Sequence, residues 1–261
     1  MHRTKKRALL IAGLALILLG AACGAYFGTY AHASPAATAL LQGSDTVQVK
    51  AIDRGWLLDG PGIRDALVFY PGGKVEPTAY LPLLTALAED GIDCFLVRMP
   101  LNMAFLDTDA AAKVQAAYTY DRWYVGGHSL GGAIAAYYAA RHGDDLEGLI
   151  LLAAYATHPL SDRLAVLELH GSEDGVLNWA SLEKGKQYLP ASARAFEFPG
   201  GNHAQFGDYD PQPSHRLPGR PDRLGRGEDR RDDPGQVGLF ACTYGTGSSP
   251  SRQFVKNLLT S

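Results

Sequence analysis

Residues 123–143, WYVGGHSLGGAIAAYYAARHG, set Ser129 among Gly126, Gly127, Gly131 and Gly132. A short apolar run leads in, and an alanine-rich run stopped by Gly143 leads out. That order predicts a buried strand turning sharply into a helix. At such a turn the serine backbone must take a sparsely populated conformation, at a cost on the order of 1–3 kcal/mol. Glycines two residues to either side remove side chains that would collide where strand end and helix start close together. The hydroxyl is pushed above the sheet, and the free N–H groups of the helix start face the same space, where a developing oxyanion would be stabilised. GxSxG alone is weak evidence, because a serine capping a helix gives the same letters. Its surroundings have to decide.

Upstream, TVQVKAI and GWLLDG predict two opening strands, and ALVFYPGG reads as a strand buried on both faces. In AYLPLLTALAEDG, Tyr80, Leu83, Leu84 and Leu87 fall at helical spacing, with Gly91 placed to end the helix. IDCFLVRMP is the next strand and DTDAAAKVQAAYTY a covering helix. Downstream, LEGLILLAA, RLAVLELHG and ARAFEFPGG read as strands and NWASLEKGKQYL as a helix. Strand and helix alternate throughout. This predicts an α/β fold, a mostly parallel twisted sheet with helices on both faces, over residues 46–210.

A formal net charge of −3 gives no electrostatic reason to expect a nucleic-acid partner. Cys23, Cys94 and Cys242 are too few and too scattered for a disulfide framework or a metal-ligand spacing, and Cys94 reads as a small buried hydrophobe. No metal is implied.

The start of the chain carries a separate signal. MHRTKKR is followed by ALLIAGLALILLGAACGAYFG, 21 residues without a charge, and a helix of that length just spans a hydrocarbon core of about 30 Å. Residues 1–28 are therefore expected to be a membrane anchor or signal segment, with the basic cluster cytoplasmic and the following domain outside. Two other outcomes compete. Cleavage at Ala31-His32-Ala33 would secrete the domain, and cleavage before Cys23 would make a lipoprotein, although Gly20 stands where a larger aliphatic residue is usual. Residues 29–45 are small and polar enough for a linker. From 211 to 261 the chain is rich in proline, glycine and arginine, lacks apolar periodicity, and is expected to be an atypical disordered tail. The change is abrupt enough to suggest a shifted reading frame near codon 210, which sequencing of an independent isolate would test.

A hydroxyl nucleophile needs a base within hydrogen-bond reach and a third group to orient that base. His203 in FPGGNHAQFG follows the last strand on a glycine loop; His128, His158 and His170 are rival bases. Asp174 in LHGSEDG lies just past the strand AVLEL, where catalytic groups of open α/β sheets gather, with Glu173 as its rival. Asp208 reads as a surface loop residue, and Arg98 and Asn102 as a solvated loop that could also line a pocket.

The order Ser129, Asp174, His203, with GHSLGG, LHGSED and GGNHAQFG around them, resembles the α/β-hydrolase superfamily. Within it the chain looks like the small lidless branch grouped with dienelactone hydrolases and carboxylesterases, over about residues 46–210. The resemblance implies a serine hydrolase acting on a small-molecule ester or related acyl substrate, with no cofactor. It also implies two oxyanion donors: the N–H of Leu130, and that of Gly73 in FYPGGKV, with Lys74 as the near alternative. The tail departs from the family, whose members pack a final helix after the histidine loop. Two further readings stay open, a non-catalytic domain binding a cell-envelope ligand and a serine acyltransferase.

Overall fold

The structure, a computed structural model, describes residues 2–209; the expected tail after Asp210 lies outside the described residues. The chain divides into two units at Tyr30/Ala31. In the first, α1 (His2–Gly28) is one continuous helix. Its stretch Ile11–Gly28 is long and apolar enough to cross a membrane, and none of it is buried. It is compatible with a membrane anchor or a signal segment.

The second unit begins with chain that sequence reading assigned to a linker. Here Ser34 caps a short helix, α2 (Pro35–Ala39), accepting from the Ala37 N–H, and Pro35 pre-sets the first turn. Ala37 is fully buried. The small side chains that suggested a tether are what let this segment lie flat on the domain.

An eight-stranded sheet follows, in the spatial order β1-β2-β4-β3-β5-β6-β7-β8. β1 (Gln48–Ile52) and β2 (Gly55–Asp59), the two expected opening strands, pair as an antiparallel hairpin, and β2 is antiparallel to β4 (Ile92–Val97). From β4 through β3 (Asp65–Tyr70), β5 (Arg122–His128), β6 (Gly148–Leu152), β7 (Ala165–Gly171) and β8 (Arg194–Phe198) every pairing is parallel. β3, β4 and β6 are buried along their whole length, which is why they read as continuous apolar runs.

Side chains alternate between two cores. Leu67 and Phe69 of β3 pack with Leu83, Leu84 and Leu87 of α3 (Leu81–Glu89) on one face. Val68 and Tyr70 point the other way, to α4 (Ala110–Gln115) and α5 (Leu130–His142). Only the first part of the expected DTDAAAKVQAAYTY helix is regular. Tyr118 and Tyr120 leave it to pack against Phe95, tilted and edge-on, with ring centroids 4.8 and 5.9 Å away. The α-helix that follows β7, α6 (Trp179–Gly185), is capped by the Asn178 side chain on the Ser181 N–H. Cys94 is fully buried, as expected.

The chain steps from β3 outward to β4 and then back across to β5, so the winding direction reverses at β3. At such a reversal the connections leave in opposite directions and open a crevice at the carboxyl ends of the strands. The loop after β3 and the turn after β5 both sit at that crevice.

Candidate active site

Ser129 sits between the end of β5 and the start of α5 with φ 53° and ψ −123°. The conformation is rare for a residue with a side chain, and it is held from both sides. The Ser129 N–H donates to the Leu152 carbonyl, and the Ser129 carbonyl accepts from Ala133. The flanking glycines serve close approach. A Cβ on Gly127 would stand 2.6 Å from the Gly131 carbonyl carbon and from the Tyr70 oxygen, and one on Gly131 would lie 2.1 Å from the same Tyr70 oxygen. Neither has a positive φ. Serine is partly exposed between them.

The loop after β3 runs beside the start of α5. A Cβ on Gly73 would meet Leu130 Cδ2 at 2.9 Å, so the two expected oxyanion donors are neighbours. Leu130 is the first residue of α5, where an N–H has no partner within the helix. Among the described residues the Gly73 N–H makes no hydrogen bond, whereas the Lys74 N–H is engaged by the Asn102 carbonyl at 2.9 Å. That contact favours Gly73 over its near alternative. Asn102 thus props the loop through its backbone, and Arg98 lies over the Trp56 ring, 4.7 Å from its centroid.

Asp174 and His203 are brought together by the loops after β7 and β8. His203 Nδ1 lies 2.7 Å from Asp174 Oδ2, with both residues buried. The other carboxylate oxygen, Oδ1, accepts from the N–H groups of Val176 at 2.9 Å and Leu177 at 2.7 Å. Burial pushes the Asp174 carboxyl up, but the His203 hydrogen bond and charge and the two backbone donors outweigh it, and the net shift is downward. An ionised Asp174 only accepts, so the ring proton is on His203 Nδ1 and Nε2 is the basic nitrogen. The rival acid Glu173 is exposed.

The rival histidines are otherwise occupied. His158 is exposed beside Tyr137, and His170 is packed edge-on to Trp179 with Glu197 at 3.7 Å. His128, the residue before the serine, is almost wholly buried. Its Nε2 donates to the His203 carbonyl at 3.0 Å, and its Nδ1 meets the Tyr80 hydroxyl at 2.8 Å. The imidazoles of His128 and His203 lie 4.6 Å apart, which docks the histidine loop on the residue adjoining Ser129. Sequence reading missed both supports. In sequence Tyr80 reads as part of an apolar helix face, and its hydroxyl carries no signal of a partner 48 residues away.

A mostly parallel sheet covered by helices, with a sharp strand-to-helix turn at Ser129, is the architecture of the α/β hydrolases. A family model described as Alpha/beta hydrolase family matches residues 66–220, and the chain belongs to that family. No curated protein matches the sequence. Among solved structures, TT1662 from Thermus thermophilus is 14% identical with a TM-score of 0.52, over 82% of this chain and 99% of that one. A membrane phospholipase A is 17% identical with a TM-score of 0.51, over 78% of this chain and 94% of the other. Dienelactone hydrolase from Anabaena variabilis is 16% identical, TM-score 0.49, over 60% and 88%. At these identities the likeness to TT1662 and the phospholipase is one of fold alone.

Proposed function

We propose that the domain cleaves an ester or related acyl bond through a covalent acyl-serine intermediate, with Ser129, His203 and Asp174 as the catalytic groups. The observation that carries this reading is the buried 2.7 Å Asp174–His203 hydrogen bond on a loop docked against the residue before the elbow serine. In the first step Ser129 Oγ attacks the substrate carbonyl while His203 Nε2 takes the hydroxyl proton. The carbonyl oxygen becomes an oxyanion, held by the N–H groups of Gly73 and Leu130. Collapse breaks the bond to the leaving group, which receives the proton from His203. Water then attacks the acyl-serine by the same route, giving the acid and free Ser129. Asp174 stays ionised throughout and stabilises the imidazolium.

A fluorophosphonate probe is expected to label the purified chain, and Ser129→Ala to abolish both the labelling and the hydrolysis of a short-chain nitrophenyl ester while leaving the fold intact. Labelling that survived the substitution would place the nucleophile elsewhere.

The same reading extends to location. With HRTKKR on the cytoplasmic side, α1 would hold the hydrolase domain outside the cytoplasm as a single N-terminal anchor, a secreted or lipoprotein form being the alternative. A membrane-impermeant fluorophosphonate should then label Ser129 in intact cells; labelling only after lysis would put the domain on the inner side.

A further inference from the structure

The loops carrying the candidate oxyanion donor and the histidine are joined by a buried polar chain that the acyl-transfer chemistry does not use. Gly72, the residue before Gly73, donates its N–H to the Tyr80 hydroxyl at 3.1 Å. The Tyr80 hydroxyl is 2.8 Å from His128 Nδ1, and His128 Nε2 is 3.0 Å from the carbonyl oxygen of His203. Both side chains are at least 99% buried. The direction of each bond follows from the groups at the ends. A carbonyl only accepts, so His128 carries its proton on Nε2. The Nδ1 of that neutral ring then accepts, and Tyr80, already accepting from Gly72, donates its hydroxyl proton to it. All four groups point one way along the chain, an arrangement in which each bond polarises the next.

Such a chain is costly to bury unless every member is satisfied. The surroundings are otherwise apolar or aromatic: Tyr80 packs against Phe69 at 5.1 Å, and His128 against Phe206 at 5.7 Å. A Leu–Phe pair would fill this volume without the risk of an unmatched polar group. What the polar version adds is placement. One end fixes the backbone beside the Gly73 N–H and the other fixes the backbone of His203 itself, with the middle on the strand end that carries Ser129.

We propose that Tyr80 and His128 are positioning residues, a buried relay that sets the His203 loop and the Gly73 loop at a common distance from Ser129. The proposal rests on the acyl-serine reading above. A displacement of about 1 Å between reacting groups costs on the order of a hundredfold in rate, so loss of the relay acts on kcat.

The test uses the full chain and three variants, Tyr80→Phe, His128→Phe and His128→Gln, with p-nitrophenyl acetate hydrolysis and fluorophosphonate labelling as readouts. Tyr80→Phe and His128→Phe should lower kcat and the labelling rate roughly tenfold to a hundredfold while KM moves less than about threefold. His128→Gln, whose side-chain amide can still donate to the His203 carbonyl, should recover to within about threefold of the wild type. Wild-type kcat in Tyr80→Phe, or a His128→Gln variant as slow as His128→Phe, overturns the relay. Should His128→Phe fail to fold, the near-isosteric Tyr80→Phe and the rescue by His128→Gln decide alone. A wild-type chain unlabelled at Ser129 would overturn the triad reading and the relay together; a labelled wild type with unaffected variants overturns the relay only.

Discussion

At Ser129 the backbone works against stability. A positive φ on a residue with a Cβ costs on the order of 1–3 kcal/mol, and here the Leu152 and Ala133 hydrogen bonds hold it in place. Glycine has no such penalty. Ser129→Gly is therefore expected to raise the free energy of unfolding by about 1 kcal/mol or more while removing all fluorophosphonate labelling. Urea denaturation of the two proteins tests it, and an equal or lower midpoint for the glycine variant would show that the turn is not strained. Much of this was legible from letters alone, because GxSxG between a strand and a helix leaves few ways to fold. The structure sets Asp174 and His203 2.7 Å apart, and their places after strand ends were legible. Tyr80 and His128 were not. Their partners lie in other elements, and only the closed sheet brings a phenol, an imidazole and two loop backbones into line.

Within the strands, apolar runs and turn residues were enough to place all eight, since buried parallel strands differ from their surroundings in composition as well as period. What composition hides is a polar residue on the wrong side. Glu168 lies inside β7, 1% exposed, and among the described residues its Oε2 has no hydrogen-bond partner. Burial pushes its carboxyl up to about 7, against a weaker pull downward from Lys186 and a push upward from Glu183. The folded state therefore holds this proton to higher pH than the unfolded chain does. Its contribution to stability is fully present below the unfolded value near 4.5, is lost as pH rises between there and about 7, and is gone above. The loss amounts to about 3 kcal/mol across that window. Glu168→Gln keeps the shape and removes the titration, so its advantage over the wild type should grow from pH 4.5 to pH 7 and then stop. Parallel stability curves for the two proteins over that range would refute the assignment.

On the scale of the whole domain, the loops of the candidate site are tied to a segment remote from them in sequence. Ala31 bridges to Val75, with its N–H on the Lys74 carbonyl and its own carbonyl accepting from Glu76. The Ala33 N–H reaches the Glu76 carboxylate, Ala33 bridges to Tyr209, and Ser34 bonds Asp208 through both backbone and hydroxyl. Residues 74–76 follow Gly73, and residues 208–209 follow the His203 turn. One strap thus ties the ends of both loops, and Asp208, which reads as a surface residue, is its anchor point. Nothing in TYAHASPAATALLQGS announces this. Short side chains carry no period, and the partners lie about 40 and 170 residues away. Net contributions near 1 kcal/mol per hydrogen bond, offset by the entropy of ordering the segment, put the strap at roughly 2–4 kcal/mol. Three truncations separate its parts. A chain beginning at Ala31 keeps every strap contact and should match the full domain in urea midpoint and Ser129 labelling rate. A chain beginning at Ser34, the product of cleavage after Ala31-His32-Ala33, keeps α2 and the Asp208 contacts but loses the bridge to Val75, and should fall between. A chain beginning at Ser44 loses all of it and should be least stable and slowest to label. If the Ser44 chain were as stable and as reactive as the Ala31 chain, the strap would be a passive covering, and the loops would owe their placement to the sheet and the buried polar chain alone.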